Sequence, residues 1–140
     1  MKALKFIVLA LALSAFGACT NSADDSTPSG DTVLANNEGS WRVSYYFDKD
    51  KDETNDFAGF TFTFRSNGVL EATRNDATTS GTWKVIRDDG VQKLVINTGT
   101  TAKPLSDLTD DWVIVEETTT RIRLKDDNSE HVEELHFEAL

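Results

Sequence analysis

The residues with the clearest chemical potential in this chain are acidic. Asp48, Asp50 and Asp52 alternate through the run Asp48-Lys49-Asp50-Lys51-Asp52-Glu53-Thr54-Asn55-Asp56, and carboxylates two apart are how a calcium loop opens. The run departs from that loop twice: Glu53 stands where the sharp turn needs Gly, and Gly59 where the bidentate Glu belongs. Lys49 and Lys51 also dilute the local charge. A solvated loop is the expectation, and Asp107, Asp110 and Asp111 read as rim residues in the same way. His131 and His136 are five apart, so on one strand they fall on opposite faces and share no metal. One Cys and two His leave no internal disulfide and no zinc cluster. No Ser, His and Asp set carries a nucleophile signature, and there is no phosphate-cradling Gly loop. The reading is therefore of a chain that is not an enzyme, with no catalytic residue, no metal site and no cofactor.

Aromatic residues are the other candidates. Trp41, Tyr45, Phe62, Trp83 and Trp112 fall at positions expected to point inward, where they either line a ligand pocket or fill a core. Their placement depends on strands. Gly39-Ser40-Trp41-Arg42-Val43 and its near copy Gly81-Thr82-Trp83-Lys84-Val85 each read as a turn feeding a strand. From Gly39 onward the hydrophobic period is two. Trp41, Val43, Tyr45 and Phe47 alternate with polar neighbours. Phe60, Phe62 and Phe64 follow, with Phe57 out of parity and Gly59 able to form a correcting bulge. The spacing predicts further strands over Val69–Arg74, Gly81–Ile86, Val91–Asn97, Asp111–Glu117, Thr119–Lys125 and His131–Glu138. Ser66-Asn67-Gly68 and Asp88-Asp89-Gly90 signal hairpins, the former read as a type I′ turn. Pro104 with Leu105 and Leu108 predicts one helical turn across an end of the sheet.

Eight short strands joined by hairpins must close or double to bury one apolar face. An eight-stranded antiparallel up-and-down β-barrel is the expected fold, and a β-sandwich the alternative. The interior load of bulky aromatics favours a barrel that is filled or nearly so. Arg121, Arg123 and Lys125 point outward, where Glu134 and Glu138 of the last strand could pair with them.

The chain has 140 residues, a one-domain length. Lys and Arg total 14 against 24 Asp and Glu, a net charge of −10. Such a surface argues against nucleic acid and anionic headgroups as partners. Residues 1–18 read as a signal peptide: Lys2 and Lys5 precede an apolar run, Phe6 to Leu13, too short to span a bilayer. The small residues before the lone Cys19 resemble a bacterial lipobox, although Phe16 stands where Leu is usual. That implies acylation of Cys19 and cleavage before it; ordinary secretion with a free thiol is the rival. Residues 19–37 read as the lipidated Cys and a flexible tether rich in Ser, Thr, Asp and Gly. Val33 and Leu34 are expected to make a last turn that plugs one end of the domain, which occupies residues 38–140. Asp25-Ser26-Thr27 and Asp31-Thr32-Val33 match a Bacteroidota O-glycosylation pattern at Ser26 and Thr32. Thr20 after the Cys is not an inner-membrane retention signal, which points to the outer membrane. The acidic pair Asp24-Asp25 leaves open its periplasmic face or the cell surface.

The Gly-x-Trp copies, the stretch from Lys51 to Phe64, Leu108-Thr109-Asp110-Asp111-Trp112 and Ile122-Arg123-Leu124 together resemble the lipocalin-like domain of small Bacteroidota lipoproteins. The resemblance runs from about Glu38 to the C-terminus. It implies a barrel and a ligand that it does not name. Lipocalins pack the Trp of Gly-x-Trp near an Arg from the last strands; Trp41 matches, but parity turns Arg121 and Arg123 outward. The expectation is a monomeric, membrane-anchored module for a small apolar ligand. The alternative is an envelope protein whose filled barrel acts through its outer surface or loops.

Overall fold

The structure is a computed structural model and describes residues 32–140. The expected signal peptide, Cys19, Ser26 and the expected tether up to residue 31 lie outside the described residues. Eight antiparallel strands close into a barrel: β1 (Ser40–Asp48), β3 (Thr61–Phe64), β4 (Val69–Arg74), β5 (Ala77–Asp88), β6 (Val91–Asn97), β7 (Asp110–Glu117), β8 (Arg121–Lys125) and β9 (Glu133–Ala139). Each pairs with the next, and β1 closes the ring on β9. A two-residue strand, β2 (Lys51–Asp52), folds back on the end of β1. Among the described residues each of the eight barrel strands has a neighbour on both sides, although β1 meets β3 only at Ser40 and Trp41, so the up-and-down order answers the edge problem that the sequence posed.

The period of two holds along most strands. Phe62 and Phe64, Leu70 and Ala72, Trp83 and Val85, Leu94 and Ile96, Ile122 and Leu124, and Leu135 and Phe137 all turn inward and are buried. The exceptions are β7, whose register on β8 shifts between Ile114 and Glu116, and β1. The register of β1 on β9 shifts between Val43 and Tyr45, a bulge that leaves one residue unpaired and reverses the parity beyond it. Tyr46, 2% exposed, takes the inward place that simple alternation gives Tyr45. Tyr45 and Phe47 lie outside, with parallel rings 6.3 Å apart.

Turn chemistry explains the remaining differences. β5 begins at Ala77 rather than Gly81, because Asn75 (φ 51) and Asp76 (φ 64) make the tight hairpin turn directly after β4. Both residue types tolerate the left-handed region. Asp89 and Gly90 do the same between β5 and β6. At Ser66-Asn67-Gly68 only Gly68 has positive φ. The Gly68 N–H donates to Arg65 O and the Arg65 N–H to Val69 O, so this is a three-residue loop ending in a left-handed Gly rather than a type I′ turn. Phe57 is buried at the end of a 3₁₀ turn, Thr54–Phe57, so its odd parity needs no bulge in the next strand.

Both ends of the barrel are stoppered. A single helical turn, α1 (Val33–Asn36), precedes β1 and buries Leu34. The Leu34 N–H donates to Glu117 Oε1 at 3.3 Å, at the end of β7. The opposite end carries Thr54–Phe57 and a second 3₁₀ turn, Leu105–Leu108, just after Pro104. Phe57, Leu105 and Leu108 close over the core from there. The expected helical turn and the expected plug at Leu34 are both present, and Thr32 and Leu34, placed before the domain by the sequence reading, are buried with the core.

Candidate functional site

Four of the five candidate ligand residues are inside the barrel. Trp41, Phe62 and Trp112 are 0% exposed and Trp83 is 2% exposed. They belong to one continuous cluster reaching from Leu34 to Leu105 and Leu108. Aromatic edges meet faces through its middle: Phe62 on Phe137 at 5.4 Å, Phe64 on Phe137 at 5.4 Å and Phe64 on Trp83 at 5.6 Å. Trp83 Nε1 donates to Arg65 O at 2.8 Å and Trp112 Nε1 to Leu108 O at 3.0 Å. Those bonds lock two of the three indoles as parts of the wall. Trp41 Nε1 is buried without a partner. The interior is occupied by the protein's own side chains.

Tyr45 is the correction. It sits on the outer face, in a groove of about 480 Å³ across β1, β9 and β8. The bulge explains its position, and the doubled Tyr45-Tyr46 was the available sign, since one of two adjacent residues on a strand must face out. His136 packs on Tyr45 at 5.0 Å between ring centroids. Arg121 and Arg123 flank them from β8, outward as parity required, so neither packs on Trp41. Glu138 stands opposite Arg121 in register, but its carboxylate pairs with Arg42. Arg123 lies 3.6 Å from Glu116. His136 Nε2 is 3.3 Å from Glu134. Burial, helped by the Arg123 charge, lowers the His136 pKa, so the ring is neutral at pH 7.

A second cluster comes together through the pairing of β7, β8 and β9, and barrel closure adds its fourth member. Asp48, Asp110, Asp126 and Glu133 end β1, begin β7, follow β8 and begin β9. Carboxylate oxygens of Asp110, Asp126 and Glu133 lie within 4.8 Å of one another. Asp48 faces Glu133 in register, and its Oδ1 is buried without a partner. Burial and the Asp48 carboxylate raise Glu133 to a pKa of about 7, and burial raises Asp110. A proton shared with Glu133 at neutral pH therefore relieves the crowding. If any described residues were to hold a cation, these hard oxygens are the set. The Asp48–Asp56 run is not arranged for one. Its residues pair as the ribbon of β1 and β2, and Asp52 accepts the Thr54 N–H at 2.9 Å. On the outside nearby, Lys93 Nζ is caged by Asp127, Asp111 and Asp88 at 2.6, 3.1 and 3.3 Å. Its pKa is raised by these hydrogen bonds, that to Asp127 most.

Thr32 is buried, and its Oγ1 accepts the Ala35 N–H at 3.2 Å as the cap of α1. Glycan attachment there would require α1 to leave the barrel end. Ser26 and Cys19 are outside the described residues. His131 is exposed.

No family model matches the sequence, and no curated protein is similar to it. Two solved structures are similar in shape. A DUF4847 family protein from Bacteroides vulgatus has a TM-score of 0.50 at 16% identity, covering 72% of this chain and 92% of its own. A protein from Burkholderia xenovorans has a TM-score of 0.46 at 15% identity, covering 100% and 98%. At such identity the first similarity concerns the barrel fold alone.

Proposed function

We propose that this chain is a lipid-anchored, non-catalytic envelope protein whose lipocalin-like barrel is a filled scaffold acting through its outer face. One observation carries the choice between interior and exterior. The Trp, Phe and Leu side chains that would line a lipocalin pocket are packed against one another, and both ends are plugged. An interior apolar ligand needs a concave space, typically about 300–1,000 Å³, and here grooves of that size, the one over β1, β9 and β8 among them, open on the outside. The anchor rests on the sequence: Lys2 and Lys5, the apolar run and small residues before the single Cys19. A triacylated Cys19 would hold the barrel at the outer membrane through a tether, since two or more chains give stable anchoring. The partner would be another envelope component, protein or glycan, met by a monomeric barrel.

Native and intact-mass spectrometry of the protein purified from its own host tests both parts. The expected result is a lipid mass increment that the C19A variant lacks, with no apolar small molecule retained. A stoichiometric apolar ligand released on denaturation would overturn the exterior reading. An unmodified Cys19 would overturn the anchor.

A further inference from the structure

The groove over β1, β9 and β8 carries chemistry that the barrel itself leaves unused. Among the described residues, the Arg121 guanidinium has no carboxylate within ion-pair distance, because its cross-strand neighbour Glu138 is taken by Arg42. Arg123, two residues along on the same outward face, has only the 3.6 Å approach of Glu116. Two planar forks side by side suit a carboxylate, which accepts two parallel N–H bonds from such a group. Beside them the bulge in β1 turns Tyr45 out of the core, and bulges of this kind re-aim side chains at functional places. His136 and Phe47 brace the Tyr45 ring from two directions.

We propose that this groove binds a short saccharide bearing a single carboxylate. The inference rests on the exterior reading above and names the ligand class of that face. The Tyr45 ring offers a rigid, amphipathic wall for the apolar face of a pyranose. The Ser44 hydroxyl and the Glu134 and Glu138 carboxylates, which line the same groove, offer acceptors for sugar hydroxyls. The neutral His136 adds no charge of its own. The groove, about 480 Å³, is within the range of small-ligand sites. An acidic peptide fits less well. β9 and β8, which supply five of the seven groove residues, are paired on both sides, so they give an extended peptide no free strand edge to join. Glu134 and Glu138 would repel its further carboxylates, and the net charge of −10 disfavours any polyanion.

Isothermal titration of the detergent-solubilised lipoprotein with 3′-sialyllactose and with a glucuronic-acid-terminated trisaccharide tests this. Lactose, the neutral counterpart of the second probe and hexaglutamate are the comparisons. At least one acidic saccharide is expected to bind at least tenfold more tightly than its neutral counterpart and than hexaglutamate. Y45A and R121Q should each weaken it at least tenfold, and R121K, which keeps the charge but not the fork, by an intermediate factor. Both side chains are outward, and unchanged melting of each variant shows that the barrel persists. Absence of binding by both acidic saccharides, equal binding of the neutral ones, tighter binding of hexaglutamate, or binding indifferent to Tyr45 and Arg121 would each overturn the inference. None of these outcomes places a ligand inside the barrel, so failure here is distinct from failure of the exterior reading.

Discussion

Single side chains divide into those that hold the barrel and those that strain it. The three indoles look alike in the sequence, yet only Trp83 and Trp112 have bonded N–H groups. Removing the Trp112 donor leaves a buried carbonyl unsatisfied, which costs about 1–3 kcal/mol, whereas Trp41 has no such bond to lose. W112F should therefore lower the urea midpoint more than W41F, and an equal or reversed order would refute the assignment. Glu133 is a source of strain. Its folded pKa of about 7 lies above its ordinary 4.5. The stabilising contribution is thus complete below about pH 4.5 and is lost as pH rises through about 7. His136, pushed down, acts in the opposite sense as pH falls, so the comparison must be with wild type at each pH. E133Q should melt above wild type at pH 8, with the gap closing by pH 5; a pH-independent gap would contradict the shared-proton cluster. No sequence pattern foretold that cluster, because its carboxylates come from separate segments: Asp110, Asp126 and Glu133 meet through the pairing of β7, β8 and β9, and Asp48 joins them when β9 closes on β1. The outward Arg121 and Arg123 were legible from alternation alone.

The strand pattern was largely legible because alternation and turn chemistry agree: Phe62 and Phe64, Leu94 and Ile96, Leu135 and Phe137 could face only one way. What alternation cannot express is a bulge, and that is why Tyr45 was expected inside. Nor can it weigh two glycines in similar motifs. A Cβ on Gly81 would stand 2.0 Å from the Asn97 carbonyl oxygen, a backbone atom of the neighbouring strand, while one on Gly39 meets only the Asn37 side chain at 3.0 Å. Only Gly81 is therefore required for close approach of strands. G81A is expected to cost about 1–3 kcal/mol, as overpacking does, and G39A much less; thermal melting of the two variants checks the order. Comparable melting would show that the β5–β6 approach yields to a methyl group.

At the scale of the whole molecule, an acidic barrel closed on itself and stoppered by α1 at one end and by two 3₁₀ turns at the other has a packed interior, and the binding chemistry proposed for it lies on the outside. The aromatic load made a filled interior the favoured expectation, but the sequence left it beside a ligand-lined alternative. The outcome depended on packing, since the same Trp and Phe residues line a pocket or fill it according to how their rings meet. Edge-to-face contacts among Phe62, Phe64, Trp83 and Phe137 are what fill it here. The most direct test of this central claim is energy transfer from Trp41, Trp83 and Trp112 to cis-parinaric acid, a fluorescent apolar chain. A filled barrel should give no saturable transfer up to the solubility limit of the probe, with the three indoles remaining shielded from iodide. Saturable one-to-one transfer, abolished by a bulky substitution such as A72F inside the barrel, would contradict the account.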